Sequence, residues 1–217
     1  MSTLRIDIVS DVVCPWCIIG YKRLEVALEQ LSDLVVADIH WHPFELNPAM
    51  PIEGQNLKEH LAAKYGTSDE ASASARETLT QLGADLGFQF DFYDEMRIYN
   101  TRKAHQLLMW AQSDAKQQAL ELALFKAYFS KRMDISQPSV LIEIATSIGL
   151  DADLAQKVID DPSWAETVAS TEQQWIEAGI NAVPAIILNQ KHLIAGAQSS
   201  QILVDVITEV VTKELAD

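Results

Sequence analysis

The chain has 217 residues, 48% of them hydrophobic, which is ample for a core in one domain or in one domain carrying an insertion. With 16 Lys and Arg against 31 Asp and Glu the formal net charge is −15, a surface that repels phosphate backbones and anionic lipid, so neither nucleic acid nor membrane is expected as a partner. No window holds the ~18 consecutive apolar residues of a membrane span, and Met1 to Val9, broken by Arg5 and Asp7, is too short and mixed for a signal peptide. The expectation is a cytoplasmic protein, or a mature form that has lost a leader.

In chain order, Leu4 to Val9 alternates apolar and polar side chains and reads as a strand. Beyond it stand the only two cysteines, Cys14 and Cys17. From Pro15 onward Ile18, Tyr21, Leu24, Ala27, Leu28 and Leu31 recur every three or four residues, so a helix begins with Pro15 in its first turn. Cys14 then lies where unpaired backbone N–H groups and the helix dipole favour a thiolate, with Cys17 one turn in and less exposed. Leu34 to Phe44 is a second strand, and strand, helix and strand at this spacing make a βαβ unit with a parallel pair.

From residue 56 to about 174 the pattern is helical, with segments near 56–65, 69–86, 101–113, 115–130, 138–149, 151–160 and 163–178. Asp151 and Asp153 mark a helix start, and Gly87 and Gly149 mark helix ends. No fixed period links these segments, so they form an insertion rather than a repeat array. Val183 to Leu188, the turn Asn189-Gln190 and Lys191 to Ala195 read as a hairpin. A last amphipathic helix follows, with Ile202, Leu203, Val206, Ile207, Val210 and Val211 on its apolar face. The class is α/β, with a discontinuous domain at 1–52 and 163–217 enclosing a helical insertion domain at 53–162.

In a reducing compartment a lone cysteine pair points to redox or metal chemistry rather than a structural staple. Cys14-Pro15-Trp16-Cys17 after a first strand, Val183-Pro184 before the hairpin and the helices between them resemble the DsbA family of thioredoxin-fold oxidoreductases. Five companion motifs are similar to its FrnE-like branch, itself related to 2-hydroxychromene-2-carboxylate isomerases and kappa-class glutathione transferases. They are Ser10-Asp11 ahead of the cysteines, Pro43-Phe44-x-Leu46-x-Pro48, Asn100-Thr101-x-x-Ala104-His105, Gly179-Ile180-x-x-Val183-Pro184 and Gly196-Ala197-Gln198. The resemblance spans nearly the whole chain.

It implies a thioredoxin-like fold with an inserted all-helical domain, and a thiol–disulfide oxidoreductase acting as protein disulfide reductase, oxidase or isomerase. Cys14 would be the exposed nucleophile and Cys17 the resolving thiol. Pro184 would follow a cis peptide and face the cysteines, and the Val183 backbone would pair with substrate. Pro15, Trp16 and Phe44 would border the substrate, Trp16 and Phe44 as an apolar lip. Because Trp16 brings no positive charge beside the sulfur, a less oxidising couple is expected than in a relative with His there. Protein or small-molecule thiols and disulfides are the expected partners. No bound cofactor is expected; glutathione is a candidate co-substrate, and the apolar last helix a candidate surface for a second copy.

Two other functions compete. Glutathione transferases and isomerases of the related branch place serine where Cys14 stands, whereas here the protein supplies the sulfur, which ranks that reading second. A client-binding chaperone module with vestigial cysteines is the third. Asn100, Thr101 and His105 are pocket candidates, with Thr101 a credible helix cap and His105 equally readable as a packed, hydrogen-bonded side chain. His40 and His42 share a strand face as zinc ligands would. A Cys-Pro-x-Cys at a helix start exposes one sulfur and buries the other, however, so no metal is expected. Trp110, Trp164 and Trp175 read as packing, and Asp91, Asp94 and Glu95 as solvated surface.

Overall fold

The structure, a computed structural model, describes residues 2–214. It opens with β1 (Ser2–Ser10), α1 (Pro15–Gln30) and β2 (Val35–Pro43). The helical stretch then contains β3 (Gln55–Asn56), α2 (Leu57–Tyr65), α3 (Asp69–Asp85), β4 (Arg97–Ile98), α4 (Arg102–Ala111), α5 (Gln117–Lys131), α6 (Pro138–Ser147) and α7 (Ala152–Asp160). The chain returns through α8 (Pro162–Glu177), β5 (Ala185–Leu188), β6 (His192–Ala195) and α9 (Ser200–Glu214).

The main sheet has the order β2-β1-β5-β6. β1 runs parallel to β2 and antiparallel to β5, with Ile8 between Trp41 and Ile186. Its central position explains why Ile6 through Ser10 are all buried, including Asp7, which ion-pairs with Arg5 and His42. The β5–β6 turn falls at Asn189 and Gln190 as expected, both at positive φ, the conformation that a two-residue hairpin turn requires.

Every helix anticipated from the sequence is present within a few residues. Asp151 caps α7 by accepting from the Leu154 amide at 2.8 Å. Asp161 both ends α7 and caps α8, with Pro162 in the first turn, so a single residue joins the two helices. The β3–β4 pair escaped the sequence reading because two residues per strand carry no alternation. One contiguous apolar cluster extends from Ile6 and Ile8 in the sheet to Phe125 and Phe129 of α5 and Leu141 of α6, so insertion and sheet share a core. No helix among the described residues is long and apolar enough to cross a membrane.

Candidate active site

β1 ends at Ser10, and the chain turns through Asp11, Val12 and Val13 into α1. The Cys14 amide donates to the Asp11 carbonyl at 2.9 Å, and the Cys17 amide donates to the Cys14 carbonyl at 3.1 Å. Cys14 is therefore the N-cap, in extended conformation, with Pro15 in the first turn where a missing N–H costs nothing. Both cysteines are free thiols.

Val183-Pro184, a cis peptide, arrives from the other half of the fold, with the Val183 carbonyl 3.9 Å from Cys14 Sγ. Gly20, one turn beyond Cys17 in α1, permits this approach: a Cβ there would lie 3.0 Å from Pro184 Cγ. Trp16 is 42% exposed at the rim.

The structure corrects the expectation of an exposed Cys14. Only 5% of it is accessible, because Val183 covers it on one side and the insertion faces it on the other. Rather than bulk solvent, it meets a cavity of ≈ 420 Å³, which Pro15, Trp16 and Val183 also line. Cys17 is fully buried, and burial first, then Cys14 beside it, pushes its thiol well above the ordinary range, against opposing contacts from the Asp11 backbone and the Ser10 side chain.

Four expected pocket residues do not line that cavity. Phe44 packs with Val9, Ile180, Ala185 and Ile187, an apolar cluster that leaves it 8% exposed. Asn100 donates to the carbonyls of Pro48 and Met50, and its Oδ1 accepts from the Arg102 amide at 3.0 Å. It thereby caps α4. Thr101 occupies the N-cap position with no capping bond from its side chain, because asparagine one residue earlier reaches the free amide first. His105 is buried beneath the Cys14 turn, its Nε2 3.5 Å from Asp11 Oδ1, an ion-pair contact too long for a well-formed hydrogen bond. His40 and His42 turn to Asp38 and Asp7, at 2.9 and 2.8 Å. Trp175 packs against His42 with the rings tilted and their centroids 4.8 Å apart, and Asp91 pairs with Arg132.

The sequence reading missed a buried polar layer under the cysteines. Ser10 Oγ donates to Glu121 Oε1 at 2.9 Å, and the Leu46 amide donates to Asp11 Oδ2 at 2.8 Å. Glu45 pairs with Arg102, and its amide donates to Glu172 at 2.7 Å. Burial pushes Glu121 up to about 7 and also raises Glu45, with His105 countering in both. For His105 burial pulls down, but Asp11, then Glu121 and Glu45, outweigh it and the net shift is upward. A void of ≈ 10 Å³ bordered by His42, His105 and Glu121 is room for a single water. Glu121 sits in an otherwise apolar stretch of α5, so its polarity within a buried face was the available signal.

A family model described as the DSBA-like thioredoxin domain matches residues 5–208. A crystal structure of a probable DsbA oxidoreductase from Streptomyces coelicolor superposes with a TM-score of 0.88 at 29% identity, over 95% of this chain and 89% of that one. A 2-hydroxychromene-2-carboxylate isomerase gives a TM-score of 0.72 at 14% identity, over 98% of both chains. The cytosolic disulfide reductase DsbM from Pseudomonas aeruginosa, solved also with GSH, gives a TM-score of 0.64 at 14% identity, over 98% of both. These last two show the shared fold. With more than half its length matched by the family model, the chain belongs to the DSBA-like thioredoxin domain family.

Proposed function

We propose that the protein is a thiol–disulfide oxidoreductase in which Cys14 attacks and Cys17 resolves. The observation that carries this is the asymmetry of the pair: Cys14 caps a helix N-terminus and faces a cavity, while Cys17 is sealed behind it. Cys14 caps the N-terminus of α1, the end of a helix that attracts negative charge, and reacts as its thiolate. That thiolate attacks one sulfur of a substrate disulfide, forming a mixed disulfide and expelling the other sulfur as a thiolate. Cys17, on losing its proton, attacks Cys14 Sγ; the Cys14–Cys17 disulfide forms, the second substrate thiolate leaves, and two electrons have passed from protein to substrate. A low-molecular-weight thiol, with glutathione the candidate, resets the pair by the reverse exchange in a reducing cytoplasm.

The second step needs a base, because burial holds the Cys17 proton in place. Ser10 stands against Cys17 and donates to Glu121, which is half ionised near pH 7 by its position at about 7. Ser10 and Glu121 are assigned here as the path that takes this proton. Reduction of insulin disulfides with a thiol reductant tests the main reading. Wild type is expected to accelerate it and Cys14→Ala to lose the acceleration; full activity in that variant refutes the assignment.

A further inference from the structure

The cavity beside Cys14 has a feature that disulfide exchange with an extended protein chain does not use. Its far wall, on α2 and α3, includes three side chains with buried polar atoms lacking any partner among the described residues: His60 Nε2, Ser72 Oγ and Arg76 Nε. His60 and Ser72 are 9% and 4% exposed. Arg76, whose side chain is 19% exposed, makes only a long contact to the exposed Asp94, Nη1 to Oδ1 at 3.6 Å. Leu61, Leu79, Phe92 and Phe129 supply an apolar floor between this wall and the sulfur. Buried polar groups left unpaired are uncommon in folded proteins, and three in the wall of one cavity mark positions that a ligand can satisfy.

We propose that the cavity is a preformed site for a low-molecular-weight disulfide, whose scissile sulfur meets Cys14 while an apolar arm bearing a carboxylate reaches Ser72 and Arg76. This deepens, and rests on, the oxidoreductase reading. Ser72 Oγ and Arg76 Nε are donors, matched to a carboxylate. Because His60 Nδ1 faces Gln55 Oε1 at 2.9 Å, the Nδ1–H tautomer donates there and leaves Nε2 as an acceptor for an N–H or O–H on the same arm. Burial, with Lys64 adding to it, lowers the imidazole pKa and keeps the ring neutral. The volume of ≈ 420 Å³ suits a small molecule. Exchange follows the balance given above: the Cys14 thiolate takes the sulfur of the carboxylated half, the other half leaves as thiolate, Cys17 releases the first, and an external thiol restores the dithiol.

The test compares two aromatic disulfides at one ionic strength: 5,5′-dithiobis(2-nitrobenzoate), which carries carboxylates, and uncharged 4,4′-dithiodipyridine. With reduced wild type, the carboxylated reagent is expected to show a saturating rate. Arg76→Gln and Ser72→Ala are expected to lower that rate about tenfold, the weight of a charge-assisted hydrogen bond. The uncharged reagent and insulin reduction should stay within about twofold. Ala75→Trp, on the exposed face of α3, keeps the test decisive if the other variants fold poorly, since its bulk should slow both small reagents while insulin turnover persists. Linear, unsaturable kinetics, equal effects of Arg76→Gln and Ser72→Ala on both reagents, or small-reagent rates unchanged in Ala75→Trp overturn the site while leaving the oxidoreductase reading intact. Insulin reduction unchanged in Cys14→Ala overturns that reading itself.

Discussion

The Ser10 hydroxyl donates to the Glu121 carboxylate across 2.9 Å inside the core, joining the end of β1 to the second turn of α5 beneath the cysteines. Burial raises Glu121 from an ordinary 4.5 to about 7, so between those values the folded protein holds a proton that the unfolded chain gives up. Stability attributable to this group is therefore greatest below pH 4.5 and falls as pH rises toward 7. Glu121→Gln keeps an acceptor for Ser10 and removes the charge. At about pH 8 it should unfold later than wild type, by an amount on the order of 3 kcal/mol. It should also slow release of a trapped Cys14 mixed disulfide and flatten the pH dependence of that step. Denaturant melts and mixed-disulfide decay at several pH values read both effects. A variant less stable than wild type at high pH, with unaltered resolution, would show that Glu121 is a structural group only.

A second prediction concerns Asp11 and His105. Burial disfavours the imidazolium, and the contact with Asp11 and its negative charge are the leading forces that reverse this. Since the folded value is raised, His105 contributes stability in full below its ordinary 6.5, and that contribution is lost as pH rises through the folded value. In Asp11→Asn burial should prevail and the His105 pKa should drop below 6.5. NMR titration of the ring reads this directly. Acidification should then destabilise the variant relative to wild type, and a His105 titration unmoved by the substitution would contradict the assignment.

Much of this architecture was legible because it depends on local pattern. The helical repeat after Pro15, the Asn189-Gln190 turn and the cap at Asp151 are short-range devices that a sequence displays openly. What escaped depends on contacts between residues far apart in the chain. Glu121 stands out only as a carboxylate in an apolar stretch, and its role emerges when α5 is laid on β1 and Ser10, 111 residues earlier, becomes its partner. Phe44 reads as a candidate lip because the motif around it suggests function, yet the end of β2 turns it into the cluster with Ile180 and Ile187. The screening of Cys14 likewise comes from the insertion and Val183, which no local pattern encodes.

Trp16 leads to a third prediction. It lies at the rim of the cavity, 42% exposed, and adds no charge next to Cys14. The Cys14/Cys17 couple should equilibrate below the ~−120 mV of a strong dithiol oxidant. Trp16→His places an imidazole beside the sulfur and should shift the potential upward by roughly 30 mV or more. Equilibration in glutathione redox buffers measures both. A wild-type potential already at the oxidising extreme would refute the reasoning.

Gly83, in the interior of α3, gives the last prediction. In an exposed helix Gly→Ala stabilises by about 1 kcal/mol, so propensity alone forecasts a gain. Here a Cβ would lie 2.6 Å from the Phe88 carbonyl oxygen and 2.6 Å from Phe90 Cδ2, and the first of these is backbone. Phe90 has little freedom to yield, since it stacks on Phe92 with ring centroids 5.2 Å apart and meets Phe129 edge-on at the same distance. Overpacking of this kind costs about 1–3 kcal/mol, which exceeds the propensity gain. Gly83→Ala should therefore lower the melting temperature by a few degrees, at ~2–4 °C per kcal/mol for a chain of this size. The displaced Phe90 should push Phe92, which also lines the cavity at Cys14, so reaction of Cys14 with small disulfides should change along with stability. An unchanged or higher melting temperature would mean that the Phe88–Phe92 segment moves aside more easily than its stacking implies.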